Sequence, residues 1–204
     1  MYNAFYGLQS VGQRDVIQTA QFDLTTADTT SLALAFDLAY GYTGLSDFSD
    51  TLQIDISTDC GQTFETIYKK GGADLGTRET QGFFSPDGAK DWRREFVDIS
   101  DYRGEEVLFR MTNITAVGNN LYLDNVSVEL LTPPQVTIRT PESGLCRQQE
   151  LVFEVDASGS VSTLDWTFGF LSRPVAASGS GPHFVEYVSD GEKEITLIVS
   201  SPFG

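Results

Sequence analysis

Apolar and polar positions take turns along much of this chain. Leu52, Ile54 and Ile56 alternate with Gln53, Asp55 and Ser57, and Val107, Phe109 and Met111 sit between Leu108, Arg110 and Thr112. Val126, Val128 and Leu130 alternate with Ser127 and Glu129. A period of two sets one face of an extended segment on a core and the other toward solvent or a second layer. Further strands are expected over 15–22, 32–40, 63–69 and 95–99. Turn residues separate them: Gly41, Gly44, Gly71-Gly72, Pro86-Asp87-Gly88 and Gly118-Asn119-Asn120. No segment keeps a 3.6-residue period for three turns. The pattern predicts an all-β protein in which two antiparallel sheets pack face to face.

Thr132-Pro133-Pro134 interrupts the series, because consecutive prolines favour a stiff extended connector and cannot join a ladder. Beyond it a second series is expected over 135–139, 150–156, 162–168, 183–188 and 192–200. Loops such as Ala157-Ser158-Gly159-Ser160 and Ala177-Ser178-Gly179-Ser180-Gly181 join these segments. The reading is two domains, 1–132 and 133–204.

Charge then narrows the partners. The 204 residues hold 29 Asp and Glu against 13 Lys and Arg, a net charge of −16. Acids exceed bases by 20 to 9 before Pro133 and by 9 to 4 from it onward, so neither part is a basic arm. A surface this acidic repels phosphate backbones and anionic lipid, so no nucleic-acid binding is expected. No window approaches ~18 consecutive apolar residues, so no membrane insertion is expected. Cys60 and Cys146 form no CxxC motif, and they are read as unpaired thiols in different domains. The N-terminus lacks the basic and apolar regions of a signal peptide, and both ends are read as cuts through a longer polypeptide.

Several segments resemble a known module. Asp50-Thr51-Leu52-Gln53-Ile54-Asp55-Ile56-Ser57-Thr58-Asp59-Cys60-Gly61 resembles the jelly-roll module of secreted Bacteroidetes proteins described as choice-of-anchor or cleaved-adhesin-like, related in architecture to MAM domains. Gly12-Gln13-Arg14-Asp15 leading to Phe22-Asp23-Leu24 fits the same module. So do Asp91-Trp92 followed by Val97–Gly104, and Gly118-Asn119-Asn120-Leu121-Tyr122-Leu123-Asp124-Asn125-Val126-Ser127-Val128. The second part resembles a PKD domain, an immunoglobulin-like sandwich, on Asp165-Trp166-Thr167-Phe168-Gly169, the Asp190-Gly191 turn and Lys193–Ser200. It departs from that pattern at Thr167 and Phe170, where acidic residues are usual, and the chain stops before the usual closing strand. The resemblance implies a jelly roll followed by a smaller immunoglobulin-like sandwich, secreted or at the cell surface. In that setting the module commonly follows a secreted metallopeptidase domain, and an upstream catalytic domain is an expected neighbour. The implied function is binding or adhesion, with a surface glycan or extracellular protein as partner and the PKD-like part as spacer. The alternatives are a purely structural accessory of the neighbouring peptidase and, further off, a hydrolase using a carboxylate pair.

Five aspartates fall between positions 37 and 59, and clustered oxygens suit calcium. The expected structural calcium site is Asp50 and Asp124, with Asp47 and Asn125 assisting, since Asp124 interrupts an apolar run. The plainer reading has Asp124 capping backbone amides and Asp50 in solvent. Tyr42, Phe48, Phe83, Phe84 and Trp92 surround the Gly-rich loops and form a candidate shelf for stacking on a ligand. Alternation can bury only one of Phe83 and Phe84. Trp166 is expected in a core and His183 at a strand end. The sequence holds no GxSxG, Walker loop or HExxH motif, so no catalytic residue is assigned. The sequons at Asn113 and Asn125 are read as chance.

Overall fold

The computed structural model describes the backbone of residues 2–3, together with residues 11–27, 31–45, 48–140 and 149–203. The chain forms two compact units, Met1–Leu130 and Leu131–Gly204. This boundary lies two residues before the expected one. Thr132 exchanges hydrogen bonds with Ser160, its N–H donating to Oγ at 3.0 Å and its carbonyl accepting from N–H at 2.9 Å, which places it with the second unit.

The first unit contains β1 (Tyr2–Asn3), β2 (Arg14–Gln18), β3 (Phe22–Asp23), β4 (Ser31–Tyr42), β5 (Thr51–Ser57), β6 (Glu65–Gly71), one-turn α1 (Gly72–Leu75), β7 (Arg78–Glu79), β8 (Arg93–Asp98), β9 (Glu106–Ile114) and β10 (Leu121–Leu131). One sheet runs β1-β10-β4-β7, with β8 also paired to β4. The other runs β2-β9-β5-β6, with β3 also paired to β9. The fold is an all-β sandwich. Leu32, Leu34, Phe36, Leu38 and Tyr40 of β4 share one core with Leu52, Ile54 and Ile56 of β5 and Val107, Phe109 and Met111 of β9. Each such side chain contributes about 1.5–3 kcal/mol on burial. Lys70 on β6 reaches across to Glu95 on β8 at 2.8 Å, tying the two sheets at one side.

Local chemistry sets the β5–β6 hairpin. Ser57 Oγ donates to Asp59 Oδ1 at 2.8 Å and accepts from Gly61 N–H. The Asp59 carboxylate also receives Gln62 N–H, Thr63 N–H and, at 2.6 Å, Thr63 Oγ1. These donors, Thr63 foremost, lower the Asp59 carboxyl to about 2.

Alternation fails twice along β10. Leu121 and Leu123 of β10 face the core, and so do Val126 and Val128, so the inward phase changes from odd to even numbers. The change falls at Asp124-Asn125, where Asn125 takes the left-handed region (φ 49°), as the extra residue of a bulge does. The phase changes again before Leu131, which is buried, so Leu130 is exposed against expectation.

The second unit holds β11 (Gln135–Arg139), β12 (Leu151–Ser158), β13 (Thr163–Thr167), β14 (Ser172–Arg173), β15 (Ala176–Ser178), β16 (His183–Tyr187) and β17 (Thr196–Ser200). Its sheets run β11-β12-β16-β14 and β15-β13-β17. Ala177 and Ser178, expected as loop, join Ala176 in β15 against β13. Phe153, Val155, Trp166, Phe168, Val185 and Tyr187 make its core. Trp166 Nε1 donates to Gly179 O at 2.9 Å, satisfying the one polar atom that a buried indole carries. His183 packs its ring on Trp166 and Phe168 at the start of β16.

Candidate ligand-contact end of the first unit

The loops that leave β4, β7 and β9 meet at one end of the first unit. Buried hydrogen bonds hold them together. Asp50, which precedes β5, is buried, and its Oδ1 accepts N–H of Ala116 (2.8 Å) and Gly118 (2.9 Å). Its Oδ2 accepts the Asn113 amide at 3.3 Å, and its own N–H donates to Tyr40 Oη at 2.8 Å. Burial pushes the Tyr40 phenol up, and the neighbouring Asp50 charge adds to this. Ser49 Oγ lies 3.3 Å from Tyr40 Oη and accepts Gly72 N–H at 2.9 Å. Gly118 is required here: a Cβ would stand 2.2 Å from Tyr40 Oη and 2.7 Å from Asp50 N.

The network continues through Asn119 and Asn120. The Asn119 amide donates to Gly82 O (2.7 Å), and its Oδ1 accepts Phe84 N–H (2.9 Å). Asn120 Nδ2 donates to Phe84 O at 2.9 Å, and Tyr122 Oη reaches the same carbonyl at 3.3 Å. Phe84 is thereby drawn inside, 1% exposed. Phe83, fixed on both sides by these bonds, stands out with 64% exposed. Gln81 Nε2 donates to Thr43 O at 2.7 Å and staples the neighbouring loop, which carries Leu45 (56% exposed) and Phe48 (43% exposed). Further along, Asp91 accepts Asp87 N–H at 2.7 Å and pairs with Arg78 at 3.1 Å; the Asp87 amide foremost, then Arg78, hold its carboxyl below the usual range.

The expected shelf therefore separates into parts. Phe83 and Phe48 are presented on stapled loops. Tyr42 is half-buried and packs against the core, and Trp92 is half-buried with its ring 6.5 Å from Tyr122. Phe84 must be removed from the shelf, because it belongs to the interior. Leu45 joins the exposed group, although nothing aromatic marked it in the sequence.

The expected metal residues do not converge. Asp50 faces N–H donors with both oxygens, whereas Asp124 is exposed and accepts the amide of Asn125. Asn125 Nδ2 donates instead to Asp37 Oδ2 at 2.6 Å, beside the Arg94–Asp37 pair. Asp47 lies outside the described residues. Among the described residues no three His, Cys, Asp or Glu side chains group to hold a metal. The donor set around Asp50 fits backbone amides and not a cation shared with Asp124. Of the plainer reading, the Asp124 half holds, since its Oδ1 accepts the Asn125 backbone N–H at 2.8 Å, and the Asp50 half fails, since Asp50 is buried and caps amides itself.

The other buried carboxylates are likewise occupied. Asp55 meets Arg110 at 2.9 Å and Thr66 Oγ1 at 2.7 Å, and Glu95 meets Lys70 and Arg93. Cys60 is an exposed free thiol, and Cys146 lies outside the described residues. The sequon residue Asn113 is fully buried. Among the described residues no helix is long and apolar enough to cross a membrane. No protein-family model and no curated protein matches the chain.

Proposed function

We propose that the chain is a non-catalytic binding or adhesion piece of a secreted or surface protein, in the manner of the adhesin-like jelly roll and PKD-like pair that its sequence resembles. The first unit contacts an extracellular protein or surface glycan through Phe83, Phe48 and Leu45. The carrying observation is Phe83, an apolar ring held out on a segment whose neighbours are bound to Asn119 and Asn120. The backbone on either side of the ring is already fixed, so binding forfeits less freedom than it would on a flexible loop. The buried carboxylates Asp50, Asp55, Asp91 and Glu95 are each taken up by donors of the first unit, as in a scaffold whose buried acids serve the fold. An upstream catalytic domain of the same polypeptide is the expected neighbour.

The test is a glycan array and a screen of purified surface proteins, run with the wild type and Phe83→Ser. Binding that is lost in Phe83→Ser at an unchanged melting temperature supports the reading. Ligands bound equally by both proteins refute the assignment to this end. Reproducible turnover of a substrate by the purified chain refutes the non-catalytic role.

A further inference from the structure

The second unit carries an apolar surface of its own, which a spacer does not need. The turn after β13 leaves Phe170 80% exposed, yet the turn is firmly braced. Phe168 N–H donates to Val175 O (2.9 Å), Tyr187 Oη donates to Phe168 O (2.7 Å), and Ser172 Oγ donates to Gly169 O (2.8 Å). Gly169 sits at φ 80°, so close to the 190–194 segment that a Cβ would lie 2.5 Å from Glu194 O. Leu171, Val175 and Val188 are exposed around it, and Val188 N–H donates to Leu171 O at 3.2 Å. These side chains share one end of the unit. Large apolar side chains exposed on segments bonded to one another are a feature of interaction sites.

Beside Phe170 opens a pocket of about 580 Å³, walled by Gly169, Phe170, Asp190, Glu192, Lys193 and Glu194. Its lining includes Glu192 and Glu194 beside one ammonium. That ammonium is turned to its own unit: Lys193 Nζ donates to Ser189 Oγ at 2.7 Å and lies 5.3 Å from the centre of the Tyr187 ring. The rim therefore offers negative charge next to an apolar centre.

We propose that this end of the second unit docks a cationic, apolar segment of a partner protein, with an apolar side chain against Phe170 and flanking lysine or arginine against Glu192 and Glu194. Complementary charge guides the encounter and sets the register, while the apolar contact holds it. The proposal is independent of the reading given to Phe83, which lies in the other unit.

The test is an NMR titration of the isotope-labelled 204-residue chain with a capped hexapeptide of alternating lysine and leucine. A second peptide with serine for leucine is the control. The proposal expects shift changes confined to residues 168–175 and 187–196. It expects affinity to fall at least tenfold in Phe170→Ser, in the Glu192→Gln/Glu194→Gln pair and with the serine peptide. The melting temperature stays unchanged, since these side chains lie on the surface. Because the chain is highly acidic, unspecific attraction of a cationic peptide is the rival explanation. Shifts scattered over the acidic surface, or equal binding by Phe170→Ser, overturn the proposal. So does the absence of binding at millimolar peptide. A sedimentation dimer that Phe170→Ser dissolves assigns the patch to a second copy and overturns the cationic partner.

Discussion

Asp50→Ala tests the network that holds the first unit's loop end. The substitution removes the acceptor of two backbone donors, Ala116 and Gly118 N–H, and of the Asn113 side-chain amide. A buried donor left without a partner costs about 1–3 kcal/mol. Three donors give a gross loss of about 3–9 kcal/mol, and two considerations reduce it. Ala116 is only partly buried and recovers water, and the variant no longer has to desolvate a carboxylate. The net expectation is a loss of about 2–4 kcal/mol. For a unit of this size each kcal/mol moves the melting temperature by roughly 3–5 °C, so the first unit's transition drops by about 6–20 °C. Calorimetry reads this transition, and the second unit's unfolding, followed at buried Trp166, stays in place. Asp50→Asn keeps a carbonyl oxygen for the two backbone donors and loses about 1 kcal/mol. A loss below 1 kcal/mol in Asp50→Ala refutes the reasoning. So does a melting temperature that rises with millimolar calcium in the wild type and not in Asp50→Asn, because the carboxylate would then serve a cation.

Phe84→Ala empties a core position and is expected to cost about 3–5 kcal/mol, whereas Phe83→Ala leaves denaturant midpoints unchanged; equal midpoints for the two variants contradict the inside–outside assignment. Gly118→Ala drives a methyl group into Tyr40 Oη and the Asp50 amide, so its melting temperature should fall as far as that of Asp50→Ala, and a neutral result means the loop can move. Asp59 has a folded-state pKa of about 2, below its ordinary value near 4, so its stabilising effect is complete above about pH 4 and disappears as pH falls through about 2. The melting-temperature gap between wild type and Asp59→Ala should therefore close over that window, and a gap constant with pH removes the Asp59 turn as its cause.

The strands with one buried face were legible, because a pleated segment between core and solvent must alternate. β5 and β9 kept that phase throughout, with Leu52, Ile54, Ile56, Val107, Phe109 and Met111 all inward. Where the sequence misled, a tertiary event had overridden the local pattern. β10 changes phase at Asn125 and again before Leu131, and an alternation read forward from Val126 misses the second change, so it puts Leu130 on the wrong side. β14 and β15 are too short, and too poor in branched residues, to mark themselves; neighbouring strands recruit them.

The candidate site divides along the same line. Residue types suggested that Asp50 and Asp124 had a task, but the task depends on what arrives from elsewhere in the chain. Asp50 receives amides 66 and 68 residues away, and no spacing rule anticipates that crossing. At Phe83-Phe84 the parity rule required one ring to be buried, but it could not choose which. The choice is made by Asn119 and Asn120, whose side chains grip Gly82 and Phe84 from 35 to 37 residues away. The same bonds that draw Phe84 inward push Phe83 outward. The exposed ring is thus a consequence of satisfying buried polar groups, and a change at Asn119 should disturb both rings together.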